Sequence, residues 1–137
     1  MPERGVLLGF DYGSRRIGVA IGQTLTGQAR ALVVLKSHNE RPDWAAIGRL
    51  LAEWNPRALV VGLPLQMGGE EQAMTARARR FGNQLAGRYN LPVHHAEERL
   101  SSWAASRLLA EQGRAGEADD ALAAQIILQG WLDERGV

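Results

Sequence analysis

The sequence predicts an α/β fold: one five-stranded mixed sheet, three antiparallel strands followed by βαβ crossovers, flanked by helices. Three observations predict it. Three short apolar runs follow one another closely between residues 5 and 35, the pattern of consecutive antiparallel strands. From Pro42 onward helical periodicity alternates with short apolar runs, the pattern of crossover units. The run Ala58 to Leu63 (ALVVGL) is almost continuously apolar, as a strand covered on both faces must be. The 137 residues are expected to form a single domain, 1–137, since domains commonly run roughly 100–200 residues.

The elements are expected in this order. Gly5 to Asp11 (GVLLGFD) is a strand bounded by the turn-like Tyr12-Gly13-Ser14. Arg16 to Gly22 (RIGVAIG) is a second, with Gly18 and Gly22 on one face, and Arg30 to Leu35 (RALVVL) a third. Pro42-Asp43 opens a helix whose Trp44, Ile47, Leu50, Leu51 and Trp54 form one apolar stripe, stopped by Asn55-Pro56. The fourth strand ends at Pro64, and Gly68-Gly69 mark a loop. A long helix from about Glu70 to Tyr89 carries Met74, Ala78, Phe81, Leu85 and Tyr89 on its apolar face, with Arg77, Arg80, Gln84 and Arg88 a quarter turn away. Leu91 to Ala96 is the fifth strand. Two helices, about Ser102–Gln112 and Asp119–Glu134, are separated by the Gly113–Gly116 link.

Composition narrows the function. There are no cysteines, so disulfides, thiolate metal sites and cysteine nucleophiles are excluded. No apolar run approaches the roughly 20 residues of a membrane-spanning helix, and Met-Pro-Glu-Arg does not read as a secretory signal. The expected location is the cytoplasm, with no membrane partner. The net charge of +1 conceals an asymmetry: residues 1–107 are basic and 108–137 acidic. All the basic residues but Lys36 are Arg, which suits phosphate binding through forked hydrogen bonds and is equally what codon bias would leave.

Several acids stand where surface acids do not belong. Asp11 closes an apolar strand, at the sheet end where such folds bind ligands; alternatively it only stabilises the hairpin. Glu97-Glu98 fall where the fifth strand gives way to Arg99-Leu100-Ser101-Ser102, and adjacent strand residues point to opposite faces, so one of them can join Asp11. Asp119-Asp120 open a helix that is apolar nearly all round. Capping explains one aspartate; Asp120 shares a row with Ala124, Ile127 and Trp131, Asp119 with Ala123 and Ile126, and helical periodicity does not separate them. Carboxylates converging on one sheet end would call for Mg²⁺ or Mn²⁺, which take oxygen ligands. His94-His95 does not read as a zinc site, because the two point apart and no third ligand has suitable spacing.

At these residues the sequence resembles the YqgF family, the RuvX-type Holliday junction resolvases also described as pre-16S rRNA nucleases. Four blocks carry the likeness: Gly9-Phe-Asp11-Tyr-Gly13-Ser-Arg-Arg-Ile17-Gly-Val-Ala20; Val60-Val-Gly62-Leu-Pro64-Leu65 with Gly69; Glu97-Glu98-Arg99-Leu100-Ser101; and Asp120-Ala-Leu-Ala-Ala124-Gln-Ile-Ile-Leu128-Gln. The family's usual Asp-Glu-Arg-Leu-Ser reads Glu-Glu-Arg-Leu-Ser here, leaving the matched glutamate as Glu98. The resemblance implies a ribonuclease-H-like fold and a metal-dependent nuclease centre, with Asp11, Glu98 and Asp120 as catalytic and metal-binding residues for two Mg²⁺ or Mn²⁺ ions.

Arg15, Arg16 and Arg99 are candidate phosphate contacts, each equally readable as an exposed or carboxylate-paired charge. Arg77 and Arg80, with Arg88, can track a nucleic-acid backbone or simply solvate a helix face. The loop Gln66–Glu71 is a candidate for closing over substrate. The expected function is hydrolysis of phosphodiester bonds in processing the 5′ end of pre-16S rRNA, with ribosomal particles as possible partners and a monomer or homodimer as the assembly. The alternatives are a Holliday junction resolvase, a nucleotide-phosphate binder of the actin/Hsp70-like superfold, and a silent nucleic-acid-binding scaffold.

Overall fold

The computed structural model describes residues 5–65, 69, 71–99 and 117–135. Strands β1 (Val6–Tyr12), β2 (Arg16–Gln23) and β3 (Gln28–Lys36) form an antiparallel meander. Helix α1 (Trp44–Trp54) then leads to β4 (Ala58–Leu65), and α2 (Ala73–Tyr89) leads to β5 (Val93–Arg99). Helix α3 (Glu117–Glu134) ends the described chain. The sheet order is β3-β2-β1-β4-β5, with β4 parallel to both β1 and β5. The mixed sheet expected from the sequence is the one observed. Among the described residues no helix is long and apolar enough to cross a membrane.

Strand alternation sorts the core into two layers. Leu8, Phe10, Ile17, Val19, Ile21, Leu59 and Val61 pack with Ile47 and Leu51 of α1 and Ala78, Phe81 and Leu85 of α2. On the other face Leu7, Ala20, Ala58 and Val60 pack with Ala124, Ile127, Leu128, Trp131 and Leu132 of α3. Burying each such large side chain is worth about 1.5–3 kcal/mol. The central strands are apolar on both faces because both faces are covered.

Small residues let α3 approach closely. A Cβ placed on Gly18 would stand 1.9 Å from the Asp120 carbonyl oxygen, and one on Gly62 would stand 2.6 Å from Ile127 Cδ1. The Gln129 side chain then staples α3 to the β2–β3 turn, its Oε1 accepting from Ala29 N at 2.9 Å and its Nε2 donating to the Gly27 carbonyl at 2.8 Å. On the opposite side α1 is capped by Asp43, whose carboxylate accepts from Ala46 N at 3.1 Å. It ends at Asn55 in the left-handed region, as α2 does at Asn90.

Beyond shifts of one residue at β1, β2 and β4, element boundaries depart from expectation in four elements. Helix α2 starts at Ala73 rather than Glu70, since Glu71 is held extended by a bridge to Leu65. Its entry is tied to β4 by the buried Thr75 hydroxyl, which donates to the Pro64 carbonyl. Strand β5 continues past Ala96 to Arg99, because its ladder with β4 runs through Leu65↔Arg99. Strand β3 is longer at both ends, and α3 begins at Glu117. The helix expected at 102–112, the 113–116 link and most of the 66–71 loop lie outside the described residues.

Candidate functional site

Register decides which acids meet. Asp11, near the end of β1, lies opposite Gly18 on β2. On β5, Ala96 pairs with Gly62 and Glu98 with Pro64. Glu98 therefore points to the same face as Ala96, which packs against the α3 layer, and Glu97 points away. Asp120, in the first turns of α3, has its backbone set against Gly18, the cross-strand neighbour of Asp11. Three residues from β1, β5 and α3 thus converge on one end and one face of the sheet.

The electrostatics carry the mark of that convergence. Asp11 is pushed up to about 7, first by burial, then by the Glu98 and Asp120 charges. Glu98 is raised to about 7 by burial. Enclosure disfavours carboxylate charge at both, and at Asp11 the neighbouring acids compound it.

Asp120 is turned toward a cation already present. Arg16 Nε donates to its Oδ2 at 2.7 Å. Consistent with this, among the described residues no three His, Asp or Glu side chains are gathered tightly enough, as they stand, to hold a metal ion between them. The donor chemistry nonetheless fits Mg²⁺ or Mn²⁺: the oxygens are hard, and a divalent cation relieves the enclosed repulsion. Asp120 keeps 27% of its side chain exposed.

The other candidates are scattered. Arg15 is exposed in the hairpin turn, where its carbonyl accepts from Ser37 N at 2.9 Å. Arg99 ends β5, its side chain outside the described residues. Arg77 and Arg80 sit on α2, across the sheet from the acids, with Arg77 paired to Glu40 at 3.2 Å. His94 packs on Trp131 beside α3, whereas His95 faces Gly82 of α2. The pairing of Arg16 with Asp120 has no local signal in the sequence, because the partners are 104 positions apart. Arg41, which joins Arg77 and Arg80 around a cleft, also escapes sequence reading, as a lone base before a helix belongs to no periodic pattern.

The profile of the family described as RuvX, Holliday junction resolvase, matches residues 5–134. The chain belongs to the RuvX family. A Pseudomonas putida relative named as a pre-16S rRNA nuclease is 51% identical over 97% of this chain and 98% of its own length. A Burkholderia pseudomallei relative of the same name is 54% identical over 97% and 91%. Among solved structures, Thermus thermophilus RuvC in complex with a Holliday junction substrate is similar with a TM-score of 0.56 at 20% identity, covering 97% of this chain and 96% of that one. The fowlpox virus Holliday junction resolvase is similar at 0.58 and 13% identity, covering 96% and 99%. These structural likenesses establish the fold, which is ribonuclease-H-like. In this RuvX chain the matching blocks fall on β1–β2, β4, β5 and α3, the elements that deliver Asp11, Glu98 and Asp120 to one sheet end.

Proposed function

We propose that this RuvX chain is a divalent-metal-dependent nuclease acting in the cytoplasm, with Asp11, Glu98 and Asp120 as its catalytic carboxylates and the ligands of two Mg²⁺ or Mn²⁺ ions. The observation that carries the proposal is the meeting of these acids, with Asp11 raised to about 7 partly by the other two. Such ions, when bound, activate an attacking water and neutralise charge on the leaving oxygen. The chain's own part is to hold ligands and phosphate. Asp11 and Glu98, fixed at the ends of β1 and β5, would hold the ions as carboxylates. Asp120 would be the third ligand, and the Arg16 guanidinium, with Arg15 on the same hairpin, would meet substrate phosphate; Arg99, at the end of β5, would be a third phosphate contact. Water adds to phosphorus, the bond to one ester oxygen breaks, and that oxygen departs as a hydroxyl with a proton taken from the water.

The proposed substrate is precursor rRNA, cut at the 5′ end of pre-16S rRNA, with ribosomal particles as the setting. The name carried by relatives more than 50% identical supports this. A second reading, resolution of four-way DNA junctions, is favoured by the family's own description. Paired nicks on a symmetric junction call for a dimer, whereas a single cut in RNA needs one protomer.

One assay separates the readings. Labelled precursor rRNA, four-way junction and linear duplex are incubated with the protein in Mg²⁺, Mn²⁺ or EDTA, beside Asp11→Asn. Cutting of precursor rRNA that disappears in EDTA and in the variant is the expected result. Cutting that survives either treatment overturns the metal centre, and selective junction cutting replaces the RNA substrate. ATP binding without any cutting would move the chain to the nucleotide-binding class.

A further inference from the structure

Behind the carboxylates, on the opposite face of the sheet, lies a cleft of about 760 Å³ between the β3–α1 connection and α2. Arg41 stands on one wall, and Arg77, Arg80 and Arg88 on the other. Among the described residues the only acid lining it is Glu40, engaged with Arg77 in an exposed and therefore weak pair. Among the described residues no carboxylate pairs with Arg41 or Arg80. The Arg88 guanidinium rests over the Trp44 ring, 4.1 Å from its centre. Tyr12, with its ring 5.1 Å from that of Phe81, lines the end next to the catalytic centre, since it directly follows Asp11.

We propose that this cleft carries a single-stranded extension of the substrate, gripping its phosphates several nucleotides from the cut. The inference rests on the nuclease reading and adds a path to it. Four guanidinium groups from two elements converge on a concave line, which a uniform solvated face does not require. Arg77, Arg80 and Arg88 recur at helical spacing over roughly 16 Å along one wall. A concave basic groove with the aromatic rings of Tyr12 and Trp44 in its lining is the combination that tracks a single strand. Because Asp11 and Tyr12 are consecutive and point to opposite faces, a strand leaving the carboxylates needs only to turn over the sheet end to enter the cleft.

The test measures binding of end-labelled single strands of 4 and 12 nucleotides, and of a 12-base-pair duplex, as a function of salt, on an Asp11→Asn background. Cutting by the otherwise unaltered protein is followed in parallel. The double variant Arg41→Gln/Arg80→Gln breaks no described contact, and Arg49→Gln/Arg57→Gln, on the outside of α1 and before β4, is the charge-matched control. Melting curves confirm that each folds. The cleft variant is expected to bind the 12-mer about tenfold more weakly and to lower the magnitude of its salt slope by about 1.4. The control and the 4-mer should change little. A wild-type salt slope in the cleft variant, with cutting intact, overturns the path and leaves the nuclease reading standing. Equal weakening of the duplex overturns the single-strand assignment. Failure of the unaltered protein to cut or bind any substrate overturns both.

Discussion

Arg16 Nε and Asp120 Oδ2 are 2.7 Å apart, joining β2 to α3 across 104 positions of sequence. The pair is partly exposed on both sides, so its attraction is modest and screened by salt. It places a permanent cation on one of the three carboxylates. On the proposed metal-dependent reading, a divalent ion competes with it.

The first prediction follows from that competition. Arg16→Gln should tighten Mn²⁺ binding up to about fivefold, the equivalent of about 1 kcal/mol for an exposed pair. Calorimetric titration at low and high salt measures it, and the advantage should shrink as salt rises. Weaker Mn²⁺ binding in the variant would mean that Arg16 orients Asp120 for the ion rather than blocking it.

The second concerns pH. Asp11 and Glu98 are raised to about 7 in the folded protein, against ordinary carboxyl values near 4. A raised folded value means the unfolded chain loses its protons first, so metal-free stability is full below about pH 4 and declines as pH rises to about 7. Between pH 5 and 8 the metal-free melting temperature should fall by on the order of 10–20 °C. Asp11→Asn should flatten that fall and melt higher than the unaltered protein at pH 8, and Mn²⁺ should stabilise more at pH 8 than at pH 5. A metal-free protein that gains stability toward pH 8 contradicts the clustering of charge.

The third concerns the seat of α3. In Gly18→Ala the added Cβ would collide with backbone, the Asp120 carbonyl oxygen 1.9 Å away, and backbone cannot swing aside. The expected loss is about 3 kcal/mol or more, read by urea unfolding, with cleavage reduced further than stability explains because Asp120 is displaced. Gly62→Ala meets only side-chain atoms of Ile127, its Cδ1 nearest, and should lose less.

The fourth separates the paired aspartates. Asp120→Asn should lower cleavage at least a thousandfold, whereas Asp119→Asn should stay within a fewfold of the unaltered rate. Single-turnover cleavage in Mn²⁺ measures both, and the reverse order would transfer the metal-ligand role to Asp119.

Much of the fold was legible in the linear chain. The β1–β2–β3 meander, the alternation of α1, β4, α2 and β5, and the two-sided burial of β4 all follow from periodicity, which is local and is printed in the order of residues. The boundaries that moved did so for tertiary reasons. Glu97 and Glu98 look like the end of a strand, yet β5 runs on to Arg99 because β4 supplies a ladder there. Glu71 looks like the start of a helix, yet its bridge to Leu65 holds it extended.

Periodicity by itself marked Asp11, one of Glu97-Glu98 and one of Asp119-Asp120 as unusual acids, and the family blocks implied Glu98 and Asp120. Only the folded sheet decided that Glu98 and not Glu97 faces Asp11, since a one-residue change in strand register reverses every side chain. It alone set Asp120 on Gly18 and gave it Arg16 as a partner. The reason is distance along the chain: local periodicity says which way a residue points within its own element, while a site built from β1, β5 and α3 exists only after packing has brought those elements to one edge.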